Sequence, residues 1–278
     1  MKFKISPGKG HQSLFQPGDQ GIHWLGLEVL HLENGETWQE TYPGQEAALV
    51  ILSGRCTVRI AVAGDQALAP QKFEWRGLGG RADVFSGLPT TVYAPPGSAI
   101  TITAESRLEI AIGKAPADSC FPPAVVRPDD VRVNSAGIAN WRRDVRLMLP
   151  PGSSISQRLI VGETINPPGN WSGFPPHKHD GTQPGENLLE EFYLFKAKPL
   201  DGFGLQPLYC GGVGEVHFVG NDDVTVMLNG YHPTVATPGT TLYYLWMLSG
   251  DSKAYDISID PTFRWLSNAE AVIREIQH

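Results

Sequence analysis

Positive charge, paired cysteines and long apolar runs are all scarce in this chain, and each shortage removes a class of function. Only 22 lysines and arginines stand against 29 aspartates and glutamates, for a formal net charge of -7 over 278 residues. A surface of that balance offers no basic face for phosphates, so no nucleic-acid partner is expected. The cysteines are three, Cys56, Cys120 and Cys210, widely spaced and without a CxxC pair. An odd, scattered set is neither a disulfide framework nor a zinc ribbon, and it is read as reduced structural thiols. No stretch approaches the roughly 20 apolar residues of a membrane helix, and MKFKISPGKG has no apolar h-region. A cytoplasmic protein without a membrane partner is therefore expected. Phosphate-cradling loops are missing too. SGF (172–174) and GGVGE (211–215) lack the GxGxxG spacing and a following helix, and read as turns.

What is abundant is turn chemistry. With 31 glycines, 23 prolines and 41% hydrophobic residues, the chain can bury a large core through short strands joined by tight turns, an all-β composition. IHWLGLEVLHLEN (22–34), ALVILSGRCTVRI (48–60) and ADVFSGLPTTVYAPPGSAITITA (82–104) read as strands broken by Gly and Pro. A strand, an SG turn and a later PPG turn are echoed further on by YHP and TPG, which suggests an internal duplication: two tandem antiparallel β-barrels of jelly-roll type. The crossing is placed in the Pro- and Asp-rich stretch 114–136, with an N-terminal barrel over 1–115 and a C-terminal barrel over 116–278. Before ALVILSG the first half carries Glu40, Tyr42 and Glu46 but no HxH, and His23 and His31 lie well upstream, so that barrel is expected to be structural and metal-free. The chain closes in a short helix, SNAEAVIREIQH. Ser267 and Glu270 form a capping-box signal, Val272, Ile273 and Ile276 an apolar stripe expected to pack on a barrel or a second subunit, and His278 reads as a solvated end.

The chemistry concentrates in FPPHKHDGTQPGENLLEEFYLF (174–195). On a strand, His177 and His179 share a face and Lys178 points the other way. A Gly- and Pro-rich connection, in which Glu186 reads as a solvated loop residue, then returns Glu190 or Glu191 beside them. In LNGYHP the turn Asn229-Gly230 delivers His232 at a strand margin, a third candidate imidazole. Imidazoles with a carboxylate suit a divalent cation, and the set does not choose among Zn, Mn, Fe, Ni and Co.

Taken together, HKH, the Glu of EEFYLF and the His of NGYHP resemble the two-part metal motif of the cupin superfamily. The longer strings VGETINPPGNWSGFPPHKHD (161–180), LNGYHPTVATPGTTLYYLWML (228–248), GIANWRRDV (137–145) and GFGLQPLY (202–209) resemble the KduI/IolB isomerases, a likeness running from about 20 to about 268. The resemblance implies a bicupin with His177, His179, Glu191 and His232 as metal ligands. Glu191 is preferred over Glu190 because related cupins place the carboxylate as E-x-aromatic, here Glu191-Phe192-Tyr193. It also implies a sugar-acid substrate: 5-deoxy-D-glucuronate, isomerised from aldose to ketose to give 5-dehydro-2-deoxy-D-gluconate, in inositol catabolism.

Tyr193, Glu190 and Arg143 are the candidate catalytic residues. Tyr193 shares the face of Glu191, and Glu190 is the weaker base by parity. Arg142 and Arg143 face opposite ways, so at most one enters a common cavity, where its guanidinium would pair with the substrate carboxylate; Lys178 is the alternative anchor. Trp141, Trp171 and Trp246 read as core or cavity wall, and Tyr244 shares a face with Trp246. Pairing of such barrels through their edges makes a homo-oligomer the expected assembly. Two other classes are weighed: a metal-dependent cupin dioxygenase, which can use the same ligands with an apolar cavity and no carboxylate partner, and a non-catalytic sugar-binding bicupin, which would keep the fold but need not keep the ligands.

Overall fold

Strands whose two faces are both buried read as unbroken apolar runs, because each lies mid-sheet with cover above and below. Gln45–Ser53 and Leu189–Lys198 are of this kind, and each lies in the interior of a large sheet. The computed structural model describes residues 1–8, 10–62, 70–118 and 121–276; Cys120 and His278 lie outside the described residues.

One large sheet has six strands, in spatial order Ala124–Val126, Thr90–Ala94, Gln45–Ser53, Leu108–Pro116, Gly26–Leu32 and Gly10–Phe15. The other has seven: Lys2–Lys4, Asp223–Met227, Leu189–Lys198, Thr241–Gly250, Ile160–Asn166, Arg143–Leu149 and Arg132–Ala136. A four-stranded sheet covers the outer face of each. Leu49, Ile60 and Ile102 fill the first sandwich and Phe195, Val219 and Ala236 the second. The large sheets meet back to back through Val29, Val50 and Ala111 on one side and Phe192, Leu245 and Met247 on the other. Each such side chain taken out of water contributes roughly 1.5–3 kcal/mol. In the order of hydrogen-bonded strands every sheet has two ends, so among the described residues the ladders form open sheets packed as sandwiches and no sheet closes on itself. The chain passes from large sheet to small at corners rather than along a continuous ladder.

Buried charge between the large sheets is paired. Arg81 donates from Nη1 and Nη2 to Glu163 at 3.0–3.1 Å, Arg146 Nη1 donates to the same carboxylate at 2.7 Å, and the Tyr243 hydroxyl donates to it at 2.9 Å. Four donors on a single buried anion satisfy it where water does not reach.

The two halves are tied reciprocally. Lys2–Lys4 pairs with Asp223–Met227 of the second half, while Ala124–Val126 pairs with Thr90–Ala94 of the first. Two buried glutamates repeat the exchange. Glu190 accepts the backbone N–H groups of His23, Trp24 and Leu25 at 2.7, 2.8 and 3.2 Å. Glu46 accepts those of Gln157, Arg158 and Leu159 at 2.7 Å each. The strand registers make these positions equivalent: Glu46 lies opposite Ala115 and Lys114 opposite Gly26, as Glu190 lies opposite Ser249 and Leu248 opposite Ile160. Ala47 of the first half therefore occupies the position of Glu191. On the same face, the Lys114 ammonium bonds Glu28, which also takes the Tyr42 hydroxyl at 2.6 Å and lies 2.8 Å from His11 Nε2.

The C-terminal helix spans Trp265–Ile276, so it starts two residues before Ser267, which sits inside the first turn and is not its cap. Glu270 instead accepts from Trp141 Nε1 at 3.4 Å and from Arg274 Nε at 3.0 Å. Leu266 is the helix's buried anchor, and the stripe Val272, Ile273 and Ile276 is exposed rather than packed on a sheet of this chain.

Candidate metal centre

His177–Lys178 is a two-residue strand held against Ser258–Ile259. The chain leaves it through His179, and the bridge between Asp180 and Leu188 closes the loop that returns it to Leu189. Lys178, on the opposite face as its parity requires, stays in that loop: its Nζ lies 2.5 Å from both Asp180 Oδ1 and Thr182 Oγ1 and 3.1 Å from Glu186 Oε2. Glu186 is no solvated loop residue, for its carboxylate is buried and accepts the N–H groups of Asp180 and Gly181 as well. The closed cluster reaches across to the third ligand strand, because Asp180 Oδ2 accepts the N–H of Gly230 at 3.0 Å. Gly230 turns at φ +79°, where a side chain is strained, and the turn delivers His232.

Both imidazoles are oriented by backbone. His179 Nδ1 lies 2.9 Å from the Leu189 carbonyl and His232 Nδ1 2.9 Å from the Gly230 carbonyl. A carbonyl only accepts, so each Nδ1 carries the hydrogen and each Nε2 presents a lone pair. Those two Nε2 atoms each stand 3.1 Å from the same oxygen, Glu191 Oε2. Ligand atoms of His179, Glu191 and His232 all lie within 4.8 Å of one another, all three residues are buried, and His232 Nε2 has no hydrogen-bond partner. Three inward acceptors in a dry space fit a divalent cation, with carbonyls as the outer shell that fixes the rings.

Electrostatics follow the geometry. Burial alone would raise the Glu191 carboxyl, but the His179 and His232 rings, when they donate to it from Nε2, override burial and hold it at about 2. Against its own burial, His179 is raised by the same carboxylate. A cation bound to the three residues would take the place of those protons. Burial, with His232 and His179 alongside, pushes His177 down to about 3, leaving a neutral ring. The His177 ring centre lies 5.0 Å from that of His232 and 6.3 Å from that of His179, and its Nε2 stands 3.2 Å from the Tyr255 hydroxyl. The structure thus gathers His179, Glu191 and His232 tightly and sets His177 beside them.

A cavity of about 360 Å³ opens over His177 and Glu191. Arg143 and Tyr193 line it, Arg143 fixed by Nη1 bonds to the carbonyls of Trp141 (3.3 Å) and Phe174 (3.2 Å). Arg142 turns away to Ser135. Burial, then the Glu191 charge, raise the Tyr193 hydroxyl well above its ordinary value, so it keeps its proton. Tyr244 and Trp246 make the wall, whereas Trp171 packs on Phe174 and Trp141 reaches the C-terminal helix. Glu190 does not join the site. Its carboxylate is spent on residues 23–25 of the other half, and no local pattern in the sequence announces partners that far away. Tyr255 was equally hidden: it comes from the irregular stretch after Gly250, which no periodicity marks, and is brought in by the pairing of Ser258–Ile259 with His177–Lys178.

The KduI/IolB family model matches residues 5–266. The chain belongs to the KduI/IolB family. Among KduI/IolB relatives, the 5-deoxy-glucuronate isomerase of Geobacillus thermodenitrificans is 32% identical over 263 residues, covering 93% of this chain and 92% of that protein. The crystal structure of an IolB-like protein from Salmonella typhimurium LT2 superposes with a TM-score of 0.88 at 28% identity, over 96% of this chain and 98% of that one. The oxalate decarboxylase of Lactobacillus farciminis follows at a TM-score of 0.68 and 11% identity, covering 96% and 90%, a likeness of fold alone that places the chain in the cupin fold. Kinship with named isomerases makes this KduI/IolB chain an isomerase. Among the described residues, no helix is long and apolar enough to cross a membrane.

Proposed function

We propose that this enzyme is a metal-dependent aldose–ketose isomerase that converts 5-deoxy-D-glucuronate into 5-dehydro-2-deoxy-D-gluconate. The observation that carries the reading is the meeting of three inward lone pairs, on His179, Glu191 and His232, beside a cavity whose other wall holds an arginine. His179, Glu191 and His232 would hold the cation, with His177 as fourth ligand. Bound there, it supplies Lewis-acid polarisation of the sugar's carbonyl.

The chain's own groups do the rest. Arg143 takes the substrate carboxylate, its guanidinium aimed by two backbone carbonyls. Tyr193, kept neutral by burial, serves as the acid: its hydroxyl gives a proton to the C1 oxygen as hydroxide in the cavity takes the C2 proton, and it recovers one from the C2 hydroxyl as water protonates C1. Tyr244 and Trp246 exclude water from the reacting carbons. The arginine also separates this reading from a dioxygenase, whose apolar substrate needs no carboxylate partner.

In the same reading the chain is a bicupin. An N-terminal cupin-like sandwich over 1–115 is structural, and a C-terminal one over 116–278 carries the chemistry. The enzyme serves myo-inositol breakdown in the cytoplasm as a homo-oligomer, the last checked by light scattering. The deciding experiment is anaerobic conversion in D2O followed by NMR, with metal-loaded protein and a His179→Ala variant beside it. Ketose formed by the wild type alone, with deuterium at C1, supports the reading, and ketose without deuterium replaces proton transfer by a hydride shift. No ketose from metal-loaded wild type refutes it.

A further inference from the structure

The inward face of the seven-stranded sheet is a grid whose rows can be read from register. Arg143, Val145 and Leu147 succeed one another on one strand, about 7 Å apart on the same face. Val145 lies opposite Asn134 and Thr164, and Thr164 opposite Tyr244. Leu147 lies opposite Gly162, Gly162 opposite Trp246, and Trp246 opposite Tyr193. Glu191 sits one row further, opposite Leu248. A ligand running from Arg143 to the Glu191 cluster therefore crosses the Val145 row first and the Trp246 row second.

The buried polar groups of the Val145 row are bonded to one another or to neighbours, and the amide nitrogen of Asn134, uncommitted among the described residues, stands at the rim. Trp246 Nε1 donates to Thr164 Oγ1 at 3.1 Å, and the Tyr244 hydroxyl is bonded to Ser172 Oγ. Asn134, at the rim, turns its Oδ1 to Arg132. The row cannot easily shift, because the indole lies across bare backbone: a Cβ at Gly162 would stand 2.1 Å from Trp246 Cζ2. What meets the carbon next to the carboxylate is thus the Val145 side chain and the face of Tyr244.

The geometry points to the Val145–Thr164–Tyr244 row as a specificity determinant that admits a methylene beside the substrate carboxylate and rejects a hydroxyl there. This rests on the proposed function for the position of the carboxylate at Arg143. A hydroxyl turned toward Val145 and Tyr244, away from the Asn134 amide at the rim, loses its water and finds no partner, the asymmetry that makes buried unpaired polar groups costly. An apolar pocket rejects an added hydroxyl by about 10²-fold, so the site separates a 5-deoxy uronic acid from its 5-hydroxy counterpart by about that factor.

The test is calorimetric titration of metal-loaded enzyme with 5-deoxy-D-glucuronate and with D-glucuronate, which reads binding whether or not turnover follows. It is run on wild type, Val145→Thr and Val145→Ile, with isomerisation of both sugars followed by NMR. A preference of about 10²-fold for the deoxy sugar in wild type and Val145→Ile, cut at least fivefold in Val145→Thr, supports the inference. Equal affinities in wild type overturn it, as does an unchanged ratio in Val145→Thr. A retained preference without turnover sinks the isomerase reading and leaves the determinant standing.

Discussion

At the scale of single residues the centre makes separable predictions. Removing one inward ligand leaves two lone pairs and no closed set, so His179→Ala and Glu191→Gln should each purify with less than a tenth of the wild-type metal per chain, measured by elemental analysis after equal loading. Tyr193→Phe keeps the ring and loses only the hydroxyl. Its kcat should fall by about 10²–10⁴-fold with metal content unchanged; a drop confined to KM would remove the tyrosine from proton transfer. Parity made much of this legible. A period of two puts His177 and His179 on one face, sends Lys178 to the other and separates Glu191 from Glu190, and the structure has each of them on that side. What parity cannot see is a donor 165 residues away, so the commitment of Glu190 to the backbone of Leu25 had no local trace.

At the scale of elements, the reciprocal glutamates are the parts whose loss should be felt most in stability. Glu190→Ala leaves three backbone N–H groups without their acceptor, and at 1–3 kcal/mol for each one that stays dry the loss should be about 3 kcal/mol. Glu46→Ala should cost at least as much, because it removes the acceptor of three N–H groups in the same way and that of the buried Tyr93 hydroxyl besides. Urea unfolding checks both, and metal content retained by Glu190→Ala would separate clamp from ligand. Ser267→Ala is the counter-case. A true N-cap costs about 1 kcal/mol when lost, but Ser267 lies inside the Trp265–Ile276 helix, so the change should stay within about 0.5 kcal/mol. The serine–glutamate spacing that suggested a cap was genuine; the chain starts the helix earlier because Phe263 and Leu266 already turn on the backbone of Asp260 and Phe263. Strand content was legible from apolar runs between Gly and Pro. How the ladders end was not, because which strands stay unpaired at the corners depends on the packing of whole sheets.

At the scale of the molecule, acid should loosen the join between the halves. Burial pushes the Glu109 carboxyl up, and His31 together with the Lys196 ammonium more than offsets it, holding the group at about 2. A carboxyl depressed from 4.5 to about 2 adds stability above pH 4.5 that disappears as the pH falls toward 2. Glu109→Gln should therefore flatten the fall of melting temperature in that window, and an unchanged slope would assign acid lability to other groups. The reciprocal ties carry a different consequence. Equivalent residues meet across a pseudo-two-fold axis, on which Trp24 faces its counterpart Arg158, the guanidinium 4.9 Å from the ring centre. In a symmetric pair of identical chains that position would touch its own copy; two subunits written into one chain can differ there, and a self-contact has become a cation over an aromatic face. The same licence reaches the pockets. From Leu159 to Glu190 the chain is ten residues longer than from Leu25 to Glu46, and His177 and His179 lie in that longer stretch, so the asymmetry that symmetry would forbid is what lets one half gather His179, Glu191 and His232 where its twin has Ala47 at the position of Glu191.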